Sequence, residues 1–355
     1  MNLYTPQQLQ SFCHQVFTKM GCSEADAVLA TDVLLKADLR GIDSHGVARL
    51  SGYVRLWEAG RINPTPNIRI IHETPSTATI DGDAGLGLVV APYAMKIAIE
   101  KAEKVGSGWV SIKNSNHFGI AGYHGLMAAE KNMIGIAMTN ASPLVAPTHS
   151  RERLLGTNPM CYVIPGGKYQ PVVADLATSA AANGKLEIAQ RTGKSIPLGW
   201  VQDKNGQPST DPESLKNGGA LLPLGTVEEA GHKGYALAAV VDIFSAVLSG
   251  AAYGPWAPPF VSFLPLAPDM PGEGLGHFLG AMRVDAFRPL EDYNKHIENW
   301  IERFKASPAI EGKQVLVPGE PETMEQEKRR INGIPLTDAV VKDLQELGGK
   351  MGIEL

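Results

Sequence analysis

Short apolar runs alternate with helical stretches through the middle of the chain, and this alternation constrains the fold most. Runs 108–114 and 134–140 have the length and apolar character of buried strands, whereas 89–105 and 178–192 have residues typical of helices. Strands that alternate with helices predict an α/β fold in which helices cover the faces of a sheet.

The length and charge of the chain narrow its class. With 355 residues the chain exceeds what one hydrophobic core stabilises comfortably, so two domains are expected. A net charge of -5 gives no basic surface for nucleic acid or an anionic membrane. No apolar run is long enough to span a membrane, and residues 1–10 are polar, unlike a secretory signal. Three cysteines, an odd number without metal spacing, also favour the cytoplasm.

A histidine lies where a predicted strand turns into a helix. Segment 116–123 reads Asn-His-Phe-Gly-Ile-Ala-Gly-Tyr, follows the apolar run and opens the helical stretch 121–131. Open α/β sheets bind their ligands at such strand ends, and a helix N-terminus disfavours a charged imidazolium. His117 is therefore a candidate proton acceptor. The alternative is a histidine that only makes hydrogen bonds within a loop.

A second pair of candidates lies nearer the N-terminus, where a helix is predicted to open at Asp43. His45 and Arg49 stand four residues apart and would share one helical face. The guanidinium can bind a carboxylate bidentately while the imidazole exchanges a proton with the neighbouring hydroxyl or carbonyl. The alternative is a solvated basic pair. Two cations at a helix start, and Gly46 inside the helix, both oppose stability, which favours the functional interpretation.

A third candidate opens the apolar helix that begins at residue 231. Lys233 would oppose the helix dipole unless it meets an anion, and helix N-termini bind phosphates. It is therefore a candidate pyrophosphate ligand, and the alternative is a surface lysine. The following segment 253–276 is long and proline-rich, which is typical of a functional wall, a lid or a subunit contact.

Several common motifs are absent from the sequence. The glycine-rich places, 85–87, 106–108 and 272–276, do not complete the dinucleotide fingerprint, so a Rossmann fold is not indicated. There is no Walker phosphate loop and no Gly-x-Ser-x-Gly nucleophile elbow. No carboxylate stands at ligand spacing beside the histidines of segment 116–124, so no metal is expected.

Five motifs taken together resemble the malate/L-lactate dehydrogenase family, a non-Rossmann group that also contains ureidoglycolate dehydrogenase and 2,3-diketogulonate reductase. The resemblance covers nearly the whole chain, in order. Its motifs are Asp-Ser-His-Gly through Arg at 43–49, segment 116–123, Gly-Thr-Asn-Pro at 156–159, Asp-Leu-Ala-Thr-Ser at 175–179 and His-Lys-Gly-Tyr at 232–235.

The resemblance implies an α/β fold with a central mixed sheet and flanking helices, together with a helical domain formed by both chain ends. It places the helical domain at 1–68 and 288–355, and the NAD(P)-binding domain at 69–287. It also implies a homodimer and NAD or NADP as the cofactor, with NAD preferred.

The resemblance further implies roles for individual residues. The proton donor or acceptor is His117 or His45, with His117 preferred for 2-hydroxy acids. Arg49 and Thr157 match positions that hold the substrate carboxylate. The implied cofactor contacts are Asn140, Asp175, Leu176, Ala177, Thr178, His232, Lys233, Gly319 and Glu320.

We therefore expect reversible hydride transfer between NAD(P) and C2 of a small 2-hydroxy acid. Malate is the first choice, because segment 147–149 resembles the malate enzymes; lactate, sulfolactate, ureidoglycolate and sugar acids follow. Lys185 stands where a cyclic imino-acid reductase of the family has an acidic residue, which argues against that activity. Two other classes stay open, a catalytically silent carboxylate-binding protein and a metal-dependent hydrolase or lyase. The latter would use four histidines, His45, His117, His124 and His149.

Overall fold

The computed structural model describes residues 2–226, 230–262 and 264–355. Its strands are β1 (Asn2–Tyr4), β2 (Arg69–Glu73), β3 (Thr77–Gly85), β4 (Ser107–Ser115), β5 (Met133–Thr139), β6 (Met160–Ile164), β7 (Val172–Leu176), β8 (Val201–Gln202), β9 (Pro208–Ser209), β10 (Ala220–Leu221), β11 (Leu275–Arg283) and β12 (Ile334–Leu336). Its α-helices are α1 (Pro6–Lys19), α2 (Glu24–Leu39), α3 (Leu50–Glu58), α4 (Gly87–Val105), α5 (Ala121–Ala129), α6 (Asn183–Thr192), α7 (Gly231–Asp242), α8 (Leu290–Lys305), α9 (Glu320–Asn332) and α10 (Asp338–Met351). None of these helices has the length and apolar character that crossing a membrane requires.

Seven strands form one mixed sheet in the order β2-β3-β4-β11-β5-β6-β7. β3 and β4 are parallel, and the other neighbouring pairs are antiparallel. Alternate side chains of β11 point to opposite faces of the sheet. Leu279 packs into the core beneath α4 and α5, whereas Phe278 packs with Val241 of α7 on the other face. β11 thus brings a late segment of the chain into the centre of the sheet, next to the end of β4.

A helical layer beside the sheet takes residues from both chain ends. Its core joins Phe12 of α1 and Leu34 of α2 to Leu344 of α10, and β1 pairs antiparallel with β12. The α/β class with a central mixed sheet and a helical part built from both ends is therefore confirmed.

Two smaller units complete the molecule. β8, β9 and β10 form a three-stranded sheet, and α6 packs into the adjoining core through Leu186. α8 packs Ile301 against Val172 of β7, at the edge of the large sheet. The exact domain boundaries, 1–68 with 288–355 and 69–287, stay a prediction.

The prediction that a helix opens at Asp43 is wrong about where the helix begins. The chain instead forms two 3-10 turns, Asp43–His45 and Val47–Arg49, and α3 begins at Leu50. Gly46 separates the turns because a Cβ there would lie 2.1 Å from the carboxyl group of Asp38. His45 and Arg49 are therefore positioned by turns and not by a shared α-helical face.

The helix predicted for 178–192 is also shorter than expected, because α6 begins only at residue 183. The preceding segment has an irregular backbone and is hydrogen-bonded to two other parts of the molecule. The backbone N–H of Thr178 donates to the carbonyl of Thr157, and that of Ala180 donates to the carbonyl of Leu222. These bonds replace the helical ones.

Candidate active site

His117 lies directly after β4, in the turn that leads into α5. Gly119 (φ 79°) gives this turn a left-handed backbone that favours glycine. The buried ring of Phe118 stacks on His277 of β11 and fixes the turn to the sheet. The Nδ1 atom of His117 lies 2.6 Å from the hydroxyl oxygen of Tyr53 on α3. The helical layer and the sheet therefore meet at this histidine.

An aromatic ring from the proline-rich loop covers the same histidine. The ring centroid of Phe260 lies 4.8 Å from that of His117 and 5.0 Å from that of Tyr53. Gly52 leaves room for it, because a Cβ there would come within 2.7 Å of the Phe260 ring. The loop thus forms an apolar wall of the cleft and limits the access of water to the imidazole.

The loop is held in this place by polar contacts. The backbone N–H of Phe260 donates to the Ser142 hydroxyl at 3.0 Å. A terminal nitrogen of Arg61, after α3, donates to the carbonyl of Val261 at 3.0 Å. Phe263 of the same loop lies outside the described residues.

The turns after α2 present His45 and Arg49 through a set of short hydrogen bonds. Arg49 Nε donates to the carbonyl of Ser44 at 2.6 Å, and the Ser44 hydroxyl lies 2.9 Å from Nδ1 of His45. The N–H of Val47 donates to an oxygen of the buried carboxyl group of Asp38 at 2.7 Å. Within the described residues the two terminal nitrogens of Arg49 have no hydrogen-bond partner, which leaves them available for a carboxylate.

The C-terminal part of the chain fixes these turns in space. Arg329 of α9 is buried and donates to the carbonyl of Asp38 at 2.7 Å, to the carboxylate of Asp43 and to that of Glu325. Burial, with the charge of Asp43 adding to it, raises the pKa of Asp38 to about 8, against the hydrogen bond from Val47. A buried carboxyl and a buried guanidinium thus support the segment that carries His45.

The imidazoles of His45 and His117 stack with ring centroids 5.5 Å apart and planes inclined by 24°. Burial, and then the charge of Arg49, lower the pKa of His45 to about 4. Burial, and then the charges of His45 and Arg49, hold the pKa of His117 well below 6.5. Both rings are therefore neutral near pH 7 and able to accept a proton. The structure brings these three predicted residues together, and their catalytic roles stay predictions.

The predicted substrate and cofactor residues meet at Thr157. Both the N–H and the hydroxyl of Thr178 donate to the carbonyl of Thr157, at 3.0 and 3.1 Å. The neighbouring Asn158 is fully buried, accepts from the N–H of Ala141 at 3.1 Å and donates to the carbonyl of Ala238 in α7 at 3.0 Å. Thr157, Thr178 and α7 are therefore parts of one rigid neighbourhood.

The start of α7 has the donors that an anionic group requires. His232 and Lys233 are exposed on its first turn, and its N-cap residue Ala230 supplies no side-chain cap. The hydroxyl oxygen of Thr148 is buried without a hydrogen-bond partner in the described chain, 4.0 Å from where a Cβ of Gly231 would stand. An ammonium group and an unpaired hydroxyl at a helix start suit a phosphate, so these residues fit the pyrophosphate of a dinucleotide.

The end of β7 supplies further predicted cofactor residues. Asp175 and Leu176 are exposed, and Ala177 is half-buried. One carboxylate oxygen of Asp175 accepts from the N–H of Gly122, at 2.7 Å, in the first turn of α5. This edge is open to solvent and leaves the other oxygen of Asp175 able to accept a further hydrogen bond.

Three predicted cofactor residues are less accessible. The side chain of Asn140 is buried, donates to the carbonyl of Ala252 at 2.8 Å and accepts from the N–H of Gly276 at 2.9 Å. Gly319 is buried against β7. Glu320 is bonded to a lysine and to a backbone N–H three residues before it. For all three, contact with a cofactor stays a prediction.

Four residues of the site were not found by reasoning from the sequence. Tyr53 had a usable signal, since it stands four residues after Arg49. Asp38 had a weaker one, as an acidic residue in a helix that is otherwise largely buried. Thr148 had only its place in segment 147–149, and Phe260 had none, because loops with irregular backbones place both side chains.

The four histidines that a metal-dependent hydrolase would need are not gathered. His124 is buried, with Nε2 at 3.0 Å from the carbonyl oxygen of Phe118, and His149 is exposed in a separate loop. No group of three or more potential metal ligands occurs in the part of the chain that the structure describes. This arrangement gives the metal-dependent alternative no support.

Two neutral imidazoles lie beside a guanidinium, and the start of α7 suits a phosphate; these features fit oxidation or reduction of a small carboxylic acid with a dinucleotide. Comparison with known proteins supports the same class of activity. A family model described as malate/L-lactate dehydrogenase matches residues 4–345. The chain is 45% identical over 352 residues to a malate dehydrogenase of Pyrococcus horikoshii, covering 98% of this chain and 95% of the relative.

Two further comparisons extend this result. The chain is 39% identical over 353 residues to a malate/(S)-sulfolactate dehydrogenase of Methanothermus fervidus, covering 99% of each. The solved structure of the Pyrococcus horikoshii malate dehydrogenase matches with a TM-score of 0.90 and 42% identity, covering 99% of this chain and 96% of that chain. The chain belongs to the malate/L-lactate dehydrogenase family. It is an oxidoreductase that acts on a hydroxy acid, a small carboxylate, with a nicotinamide cofactor.

Proposed function

We propose that the protein transfers a hydride reversibly between NAD(P) and C2 of malate or oxaloacetate. The observation that carries the proposal is the stack of His45 on His117 beside Arg49. Similarity to proteins named malate dehydrogenase supports malate as the first substrate. Lactate, sulfolactate, ureidoglycolate and sugar acids are the next candidates.

Different residues of the cleft bind the substrate, transfer the proton and exclude water. The free nitrogens of Arg49 hold the C1 carboxylate, with Thr157 beside it, so that C2 faces the imidazole pair. A neutral imidazole, His117 or His45, accepts the hydroxyl proton during oxidation and returns it during reduction, which contributes about 10²- to 10⁴-fold. The wall formed by Phe260 keeps water from the imidazoles. The nicotinamide, when bound, accepts or donates the hydride.

NAD is the preferred cofactor. Lys233, His232 and the amides of α7 would bind the pyrophosphate, and Thr178 and Ala177 would line the same region. Asp175 would place negative charge near the nucleotide, which disfavours the extra 2′-phosphate of NADP. The ratio of kcat/KM for the two cofactors tests this preference. A ratio in favour of NADPH contradicts it.

A panel assay tests the substrate. Purified protein is mixed with NADH or NADPH and each of oxaloacetate, pyruvate, sulfopyruvate, oxalurate and a 2-oxo sugar acid, while the nicotinamide absorbance is followed. We expect oxaloacetate to give the largest kcat/KM. A larger value for another acid reassigns the substrate within the family, and a lack of turnover with every acid contradicts the proposal.

We also propose that the protein is a homodimer. α7 and the π-helical turn after it carry an apolar face that points outward, here called the α7 outer face. Its members are each 37% to 59% exposed: Leu237, Val240, Ile243, Phe244, Val247 and Leu248. Such continuous apolar surface favours a protein interface.

Sedimentation velocity tests the dimer. We expect the mass of two chains for the native protein and of one chain for Ile243→Glu, because a charge on the α7 outer face opposes its burial. Val28→Glu is the matched control, since Val28 is equally exposed on α2. A native monomer contradicts the proposal.

We further propose that the protein is cytoplasmic. The support is that Cys13, Cys22 and Cys161 are buried and unpaired.

A further inference from the structure

The phenol of Tyr53 has an unusually restricted environment. The side chain is 0% exposed, and within the described residues the only hydrogen-bond partner of its hydroxyl is Nδ1 of His117. Burial holds the pKa of Tyr53 far above 10, so the phenol keeps its proton. A buried hydroxyl without an acceptor costs about 1–3 kcal/mol, and Nδ1 is the acceptor in reach.

A second donor points at the same nitrogen. The backbone N–H of Gly119 donates to Nδ1 of His117 at 3.4 Å. Two donors require a lone pair on Nδ1, and a neutral imidazole with a lone pair there carries its proton on Nε2. Protonation of His117 to the imidazolium would turn Nδ1 into a donor and leave the buried phenol without an acceptor.

His45 has a different partner. Its Nδ1 faces the hydroxyl of Ser44, a half-buried side chain. A serine hydroxyl can rotate to donate or to accept, so it can satisfy both the neutral ring and the imidazolium. His45 can therefore change its protonation state without leaving a buried donor unpaired.

We propose that Tyr53 assigns different roles to the two stacked histidines. His117 presents an Nε2–H that donates a hydrogen bond to the C2 oxygen, and His45 carries the proton. During oxidation the O–H bond breaks and its proton moves to Nε2 of His45. The hydride leaves C2 for the nicotinamide as the C=O bond forms, and His117 donates to that oxygen throughout. Tyr53 is a positioning residue that orients the His117 ring and keeps its proton on Nε2. This inference rests on the proposed function.

The tautomer can be measured on the resting protein without substrate. In the full chain labelled with ¹⁵N-histidine, the signals of His117 are assigned from their loss in His117→Gln. At pH 7 we expect a protonated Nε2 and an unprotonated Nδ1. In Tyr53→Phe these signals should move towards the average of the two tautomers, whereas Tyr293→Phe, which loses a phenol bond to a distant carbonyl, should leave them unchanged. A protonated Nδ1 in the native protein, or unchanged signals in Tyr53→Phe, overturns the proposal.

Kinetics of matched variants test the division of roles. His45→Gln cannot carry a proton, so kcat should fall about 100- to 10,000-fold. In His117→Ala one hydrogen-bond donor to the developing charge is lost, so kcat should fall about 100- to 1,000-fold. In His117→Gln the side-chain amide can still donate, so kcat should be about tenfold or more above that of His117→Ala. If His117→Gln is as slow as His117→Ala, or His45→Gln stays within about tenfold of the native rate, the proposal fails. A native protein that reduces no 2-oxo acid refutes the proposed function instead, and the resting tautomer is still measured.

Discussion

The substrate end and the cofactor end of this site are built in opposite ways. At the substrate end, the turns after α2 supply His45 and Arg49, the turn after β4 supplies His117, and the supporting Tyr53 and Asp38 are fully or almost fully buried. At the cofactor end, Asp175, Leu176, His232 and Lys233 are exposed at the ends of regular elements.

The difference indicates how each end binds. The substrate end is fixed by hydrogen bonds before any ligand arrives, so changes there should act on the rate of the chemical step or on substrate capture. The exposed residues at the cofactor end are held mainly by their own strand or helix, so a single change there should weaken binding by one contact. The following predictions test this contrast, from the largest expected effect to the smallest.

Removal of the guanidinium at the substrate end should have the largest effect. In Arg49→Gln we expect kcat/KM for the 2-oxo acid to fall about 100- to 1,000-fold, because a charge-assisted pair inside the cleft is lost. The KM for the nicotinamide cofactor should stay nearly unchanged. Steady-state kinetics with each substrate varied separately measures both. Arg55→Gln on the following helix α3, where the ion pair with Asp343 is long and exposed, is the control, and equal losses in the two variants would refute the role of Arg49.

A single methyl group beneath the His45 turn should have the next largest effect. In Gly46→Ala the new Cβ would lie 2.1 Å from the carboxyl group of Asp38. We expect the free energy of unfolding to fall by about 1–3 kcal/mol and kcat to fall about 10- to 100-fold, because the turn shifts. Denaturant unfolding and kinetics measure the two quantities.

Gly349→Ala is the matched control for this change. Gly349 lies in α10, and no atom lies within 4 Å of a Cβ at this position. The substitution should stabilise the protein by about 0.5–1 kcal/mol with unchanged kcat. If Gly46→Ala behaved like this control, the Asp38 carboxyl would not be fixing the turn.

The two ends also differ in what the sequence could predict. The cofactor end follows from periodic elements, since α7 begins at Gly231, the residue at which the apolar helix is predicted to start. At the substrate end the sequence indicates the chemistry of His45 and Arg49, yet predicts a helix where Gly46 produces two turns. The reason is tertiary, since the buried carboxyl of Asp38 occupies the space that decides the backbone. The ring of Phe260 could not be predicted for the same reason, because a long loop places it.

Removal of one charge at the cofactor end should have a smaller and purely binding effect. In Lys233→Gln we expect the KM for the dinucleotide to rise about tenfold, the loss of one charged contact with a phosphate, while kcat at saturation is unchanged. Lys96→Gln, a change of another exposed lysine, on α4, should change neither. A loss of kcat in Lys233→Gln would contradict the contrast between the two ends, because it would give this residue a part in the chemical step.

The pH dependence should show the smallest effect. The proton acceptor must be neutral, and the pKa of His45 is lowered to about 4 while that of His117 also lies well below 6.5. Oxidation of the 2-hydroxy acid should therefore keep kcat/KM at pH 5.5 within about twofold of its value at pH 7.5. An acid limb centred near 6.5 would contradict the buried environment of the pair.

The assay must be short, because the folded protein is less stable at low pH. Between their lowered pKa values and 6.5, these histidines bind fewer protons in the folded chain than in the unfolded chain. Their contribution to stability is therefore complete above 6.5 and is lost as the pH falls. In Arg49→Gln the residual activity should show an acid limb at higher pH, since the cation that helps to lower both pKa values is gone.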